Sequence, residues 1–296
     1  MTARALLIVN PASRGGARLL RPSLEAFVAA GVPVEVAATD APGHAADIAR
    51  ARGAAHEFLF VLGGDGTVTE VLSAAAGTDR TVGIIPGGTG NLLARALGIP
   101  VNVRRAVPAL LNGRVRRIDL GVLGDGRIFA VAAGTGVDSE MLVGAPLAAR
   151  RHYGVLAYVA SATSALLHRE PFTVRAEVDG RVIERDDCVL ALIANVGVVL
   201  NGLLHLGPAI RFDDGLLDVC VYSSRGIVDD VIVAARLARR DFAADRRMAF
   251  ARGASVTIDT TPVRAAEADG ELMGQTPLRA RVSPGAVPLL VPRFGD

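Results

Sequence analysis

The chain has 296 residues, of which 51% are hydrophobic and 4% aromatic, and its 32 Lys plus Arg against 30 Asp plus Glu leave a formal net charge of +2. That length suits two lobes better than one core, and the near-balanced charge with few rings argues against nucleic acid as a partner. All the basic side chains are Arg, with no Lys anywhere, which excludes a Walker A loop, a protein kinase's strand lysine and a pyridoxal Schiff base.

From Arg4 to about Arg117 short apolar runs alternate with helical periodicity: ALLIVN, SLEAFVAAG, VPVEVAAT, HAADIARARG, FLFVLGG, TVTEVLSAAAG, TVGIIPGG and NLLARALG. This pattern predicts βαβ units around a parallel sheet, with ligands at the carboxyl ends of the strands. The first run, ALLIVNP, reads as a strand rather than a signal peptide. With two cysteines, Cys188 and Cys220, each inside an apolar run, it points to a reducing cytoplasm and to buried thiols rather than a disulfide.

Beyond Ile118 the texture changes to strand pairs joined by Asp-Gly turns: GVLGDGRIFAVAAG, FTVRAEVDGRVIERDDCVLALIANV and VTIDTTPVRAAEADGELMG. These are hairpin signals. Helices are expected over residues 146–168 and from Ile227 to about Phe250. The stretch GVLAYVASATSALL within the first is shorter than the roughly 20 residues of a membrane span. The expected fold is therefore α/β with two lobes: a parallel-sheet nucleotide-binding domain over residues 1–118, and a larger, mainly antiparallel β-rich domain over 119–296 whose last residues are free to return to the first lobe.

Four loops of the first lobe have phosphate-cradling character. Asn10, Pro11, Ser13, Arg14, Gly15 and Gly16 follow the first strand; Thr39 ends the second; Gly63, Gly64, Asp65, Gly66 and Thr67 follow the third; Gly88, Thr89 and Asn91 follow the fourth. Each alone reads as a tight turn, but together on one sheet edge they suggest a nucleotide cleft built of backbone N–H groups and helix N-termini, which needs no lysine. Asp65 can ligate Mg²⁺ or orient a hydroxyl there; its structural alternative is to cap the helix that starts near Thr67. Asp269, before Gly270 and Glu271, reads on spacing alone as another hairpin turn.

VLGGDGTVTEVL together with GIIPGGTGNLLARALGIP resembles the catalytic-domain signature of the diacylglycerol and sphingosine kinase superfamily of lipid kinases, especially its soluble bacterial members. VNPASRGG, GTGVDSEM, PAIRFDDGLLDV and ADGE extend the likeness in order along nearly the whole chain. The resemblance implies ATP bound at the four loops and a lipid acceptor, most plainly diacylglycerol giving phosphatidic acid in phospholipid metabolism. It also implies Asp65, Asp269 and Glu271 as catalytic acids, with base and Mg²⁺ roles left open between Asp269 and Glu271, and Asp138 as a further acid of the second lobe. Asp214 with the carbonyls of Arg211 and Leu216 matches a structural Mg²⁺ site of bacterial relatives; the alternative is one more Asp-Gly turn. Relatives carry consecutive glycines where residues 201–206 here read NGLLHL, so the acceptor's identity is not carried across.

The 227–250 segment combines Val228, Val231, Ile232 and Ala235 with Arg236, Arg239, Arg240, Arg246 and Arg247, which fits either a basic amphipathic helix lying on a membrane or a surface helix packing its apolar stripe inward. The five His lack metal-ligand spacing, with only His205 near a candidate pocket. A homodimer is left open. The rival functions are NAD kinase, which shares the Gly-Gly-Asp-Gly-Thr turn but generally lacks the Pro-Gly-Gly-Thr-Gly-Asn loop, and a catalytically silent lipid-binding protein of the same fold.

Overall fold

The structure, a computed structural model, describes residues 5–136, 170–199 and 204–293. Asp138, the helix expected over 146–168 and residues 201–203 lie outside the described residues. The chain divides into two compact units, Met1–Ile118 with Gly285–Asp296, and Asp119–Pro284.

In the first unit the elements alternate: β1 (Ala5–Val9), α1 (Gly16–Ala29), β2 (Val34–Ala38), α2 (His44–Arg52), β3 (Phe58–Gly63), α3 (Asp65–Ala75), β4 (Thr81–Pro86), α4 (Leu92–Ala96), α5 (Val103–Leu111) and the start of β5 (Arg114–Leu123). The inner strands β1, β3 and β4 are continuous apolar runs, as sheets covered on both faces require: all five residues of β1 are buried, as are five of six in β3 and in β4. Strand order within the unit is β4-β3-β1-β2, all parallel. The end of the long β17 (Leu278–Val291) joins β4 in parallel at Leu289 and Val82. The register aligns Val9 with Ala38 and with Leu62, and Gly63 with Pro86. The residues that follow these positions therefore leave the sheet along one edge, which is where the glycine turns fall.

Helix α5 was not among the expected elements. Its interior Pro108 breaks the helical pattern, while Asn102 caps it by accepting the Arg104 N–H at 3.0 Å; this cap is local chemistry that substitutes for periodicity.

The second unit is antiparallel throughout. It holds the end of β5, then β6 (Ile128–Phe129), β7 (Ala132–Gly136), β8 (Phe172–Val178), β9 (Arg181–Ala194), β10 (Val198–Val199), β11 (Leu204–His205), β12 (Leu217–Ser223), α6 (Ile227–Arg239), β13 (Met248–Gly253), β14 (Ser255–Thr261), β15 (Ala265–Ala268), β16 (Glu271–Gln275) and the start of β17. Its main sheet runs β16-β15-β7-β9-β8-β14-β17, with β12 and β13 joined through β9. The β5–β6, β8–β9 and β15–β16 pairs are the expected hairpins; the Asp-Gly turns of the last two have positive φ at both residues, 48° and 81° at Asp179 and Gly180, 49° and 85° at Asp269 and Gly270. Two positive values are what the right-handed strand twist selects in a two-residue loop.

Strand β14 pairs with β8 and β17. One expectation needs correction. The helix expected from Ile227 to about Phe250 ends at Arg239, because Arg240 turns into the left-handed region at φ 58° and Met248–Gly253 becomes a strand beside β12. Cys188 and Cys220 are both free and buried, and burial pushes the Cys188 thiol up to about 11.

Candidate active site

Three of the four loops on the first unit's sheet edge are stitched to one another by backbone. The Asn10 N–H donates to Leu62 O at 3.0 Å, Gly15 N–H to Gly87 O at 2.8 Å and Gly87 N–H to Gly63 O at 2.9 Å. Side chains add a second set: Asn10 Nδ2 donates to Thr67 Oγ1 at 2.9 Å, and Gly88 N–H to Asn91 Oδ1 at 2.8 Å. Thr39 joins the same edge, its N–H on Val9 O at 2.8 Å. Ser13 folds back onto Asn10 O through its own N–H and hydroxyl. Pro11, Arg14 and Thr89 are exposed, and Gly64, Asp65, Gly66 and Gly88 are partly so.

Glycine is needed here for close approach. A Cβ on Gly16 would lie 1.8 Å from Asn10 O, and one on Gly88 would lie 2.6 Å from Gly64 Cα. Neither obstacle is a flexible side chain. Gly88→Ala is expected to force the third and fourth loops apart and weaken nucleotide binding about tenfold or more, measured by titration calorimetry with ATP; unchanged affinity would mean the loops are not part of the binding surface.

Helices α1 and α3 start at this edge with glycine N-caps, Gly15 and Gly64, that supply no side-chain cap. The Gly16 N–H donates to Ser13 O at 3.1 Å; the other first-turn N–H groups have no side-chain cap and face solvent or an anion, and the helix dipoles favour negative charge at the same place.

Asp65 does not cap its own helix, whose N-cap is Gly64. It is the first residue of α3, but its carboxylate reaches the next loop, where Oδ2 accepts from Asn91 N–H at 2.9 Å and Oδ1 from Leu92 N–H at 2.6 Å. It therefore caps α4, and Asn91, held at φ 48°, presents the two N–H groups to it. Burial raises the Asp65 pKa, and the Leu92 and Asn91 N–H groups work against that rise.

Asp269 in the second unit shows the same habit. Its Oδ2 accepts from Ala130 N–H at 2.8 Å, and its Oδ1 from Val131 and Ala132 N–H at 2.9 and 3.2 Å. Asp179 does the equivalent in the other Asp-Gly turn, accepting Ala254 and Ser255 N–H, each at 2.9 Å. Glu271, two residues on, begins β16 exposed, and among the described residues no hydrogen bond or ion pair engages its carboxylate. Of the three predicted acids it retains the most lone-pair capacity.

At the predicted metal set, Asp214 Oδ1 accepts the Leu216 N–H at 3.2 Å, and Oδ2 lies 3.6 Å from Arg252 Nη1. Arg211 pairs with Asp213. Among the described residues no group of three or more His, Cys, Asp and Glu could hold a metal ion. Arg252 also donates through Nε to the buried Asp218 at 2.9 Å, whose pKa burial pushes up to about 6 against that ion pair. A raised acid binds its proton more tightly folded than unfolded, so this group's contribution to stability falls as pH rises from the ordinary carboxylate range through 6. Asp218→Asn should flatten the melting-temperature profile over that window; an unaltered profile would remove Asp218 from the account.

Sequence reasoning named the loops but missed what holds them. The Ala130–Ala132 N–H groups carry no side-chain signal, and Asn91's role as donor follows from its left-handed backbone alone.

Residues 4–123 match the family model described as the diacylglycerol kinase catalytic domain, and residues 131–291 match the one described as the YegS C-terminal NAD kinase beta sandwich-like domain. The chain is 29% identical over 283 residues to a diacylglycerol kinase of Bacillus subtilis, covering 93% of this chain and 91% of that one. It is 30% identical over 279 residues to a diacylglycerol kinase of Mycobacterium tuberculosis, covering 88% and 85%. A solved structure of a diacylglycerol kinase from Bacillus anthracis superposes with a TM-score of 0.76 at 25% identity, covering 98% of this chain and 97% of the other. With two domain models matching in order and a 30% identical relative spanned over most of its length, the chain belongs to the bacterial diacylglycerol kinase family of lipid kinases.

Proposed function

We propose that this protein transfers the γ-phosphoryl group of ATP to a lipid hydroxyl, with diacylglycerol as the first acceptor to test and phosphatidic acid as its product. The observation that carries the reading is the alignment of the loops on one sheet edge with the two uncapped helix N-termini. Phosphoryl transfer asks mainly for positioning and charge stabilisation, and fixed N–H groups supply both without lysine. Asn10, Ser13, Gly15, Gly16, Thr39, Gly63, Gly64, Gly66, Thr67, Gly88 and Thr89 would line the nucleotide site, with Pro11 shaping its first loop and exposed Arg14 beside the phosphates.

In this reading Asp65 and Asp269 are positioning residues. Asp65 fixes the loop that carries Gly88 to Asn91, and Asp269 fixes the backbone around Ala130. Glu271 accepts the proton of the acceptor hydroxyl as it attacks, the role suited to a carboxylate that engages no donor among the described residues. Mg²⁺, when bound with the nucleotide, supplies charge neutralisation at the phosphates. The free carboxylate of Glu271 fits a hard cation, whereas Asp65 already serves two N–H donors. A structural Mg²⁺ at Asp214 with the Arg211 and Leu216 carbonyls remains part of the proposal and would compete with Arg252 for the same carboxylate.

The description of the C-terminal family model favours one second reading, NAD⁺ as acceptor. The catalytic-domain match over residues 4–123 puts lipid first. The test is transfer of labelled γ-phosphate from Mg·ATP to diacylglycerol, other lipid alcohols and NAD⁺ in mixed micelles, with wild type and Glu271→Gln. Labelled lipid lost in the variant supports the reading. Label in NAD⁺ replaces it, and ATP binding with no product on any acceptor leaves a binding protein instead.

A further inference from the structure

Helix α6 is amphipathic the wrong way round for a helix that packs on its own protein. Its inner side is polar: buried Asp229 accepts from Arg246 Nη1 and Nη2 at 2.8 and 2.6 Å and from Arg247 Nε at 2.8 Å. Arg236, with its side chain only 13% exposed, pairs with Asp241 and Asp245. Among the described residues, Leu237 and Val233 carry the helix into the neighbouring apolar cluster. Its outer side is apolar, with Ile227 68%, Val228 69% and Val231 62% exposed, and with Ala234 and Ala238 continuing the stripe one and two turns on.

The two alternatives for this segment in the sequence are thereby separated. Val228 and Val231 do not pack inward, and three of the five arginines of the segment, Arg236, Arg246 and Arg247, are committed to ion pairs with Asp229, Asp241 and Asp245. Arg239 and Arg240 are exposed and, among the described residues, have no acidic partner; Arg239 borders the stripe, and Asp230 lies at its opposite edge. An apolar face edged by uncompensated positive charge is complementary to an anionic lipid surface. For a stable second copy it is small: the helix has 13 residues, about 20 Å of length, and a standard interface buries about 800 Å² per partner.

We propose that α6 is the surface by which this protein sits on a membrane, Ile227, Val228 and Val231 entering the interfacial zone while Arg239 and Arg240 engage anionic headgroups. This rests on the lipid-kinase reading only for the reason to visit a bilayer. Binding is therefore measured apart from turnover.

The experiment is co-sedimentation with vesicles of phosphatidylcholine alone and of phosphatidylcholine mixed with phosphatidylglycerol. The variants are Ile227→Gln/Val228→Gln/Val231→Gln and Arg239→Gln/Arg240→Asn. Gln is a better helix former than Val or Ile, and Asn tolerates the left-handed position of residue 240, so the fold is kept and the melting temperature reports it. Wild type should prefer the mixed vesicles. The apolar variant should lose at least about tenfold in partitioning, and the arginine variant roughly fivefold per charge, with added salt mimicking the latter. Phosphorylation of a short-chain, water-soluble acceptor, where it occurs, should be the same in the apolar variant. Wild type left in the supernatant with mixed vesicles, or an apolar variant that binds like wild type, would overturn the proposal. So would a wild-type dimer that the apolar variant converts to monomer without loss of vesicle binding, which would assign the face to a second copy.

Discussion

Glu271→Gln lowers kcat by about 10²- to 10⁴-fold and leaves the melting temperature unchanged, because general-base contributions have that size and an exposed carboxylate without partners contributes nothing to folding. Asp269→Ala does something else. It strands the Ala130, Val131 and Ala132 N–H groups and places a Cβ residue without a compensating side-chain contact at φ 49°. Unsatisfied donors and a left-handed Ala together destabilise by roughly 2–4 kcal/mol. Asp269→Asn separates the two roles: it keeps an acceptor and a residue suited to the turn, so it should retain most of kcat while Glu271→Gln does not. The opposite pattern would make Asp269 the base and Glu271 a bystander.

Asp65→Ala is expected to lower stability by about 2–4 kcal/mol and nucleotide affinity at least tenfold in the same protein, since a carboxylate holding two backbone donors is worth more than a neutral cap. Asp65→Asn retains one acceptor oxygen and should fall between. Chemical denaturation and calorimetric ATP titration read the two losses separately. If Asp65→Ala kept its stability and its affinity but lost turnover, Asp65 would be acting on the reacting groups directly, and its hold on Asn91 and Leu92 would be incidental.

Both predictions concern acids whose surroundings come from remote parts of the chain. Asp65 meets Asn91 across 26 residues, and Asp269 meets Val131 across 138. A motif such as Gly-Gly-Asp-Gly-Thr shows that a carboxylate stands at a strand end, but not which N–H groups reach it. The expected alternative, a cap on its own helix, considered only local partners; the observed cap belongs to the helix two elements on. Asp269 and Asp179 likewise read as the same turn, and the fold uses both in the same way, clamping a neighbouring strand's N–H groups. The site residues legible beforehand were the glycines, because the lack of a side chain at a strand end opens the backbone to close approach whatever the rest of the chain does.

Local pattern was sufficient for the alternation of apolar runs and helices through the first unit, for the loops at the strand ends and for the three Asp-Gly hairpins, since each depends on residues within one turn or one strand of each other. It was insufficient for α5, masked by an internal proline, and for the end of α6, where the left-handed Arg240 outweighs a periodicity that runs on. The orientation of α6 shows the limit most clearly. Val228 and Val231 have the same spacing whether they face a core or a membrane, and the choice was made by Asp229, whose burial with Arg246 and Arg247 fixes which side of the helix turns inward. A periodic stripe defines a face; only the ion pairs brought in from the loop that follows α6 determine what that face is turned toward.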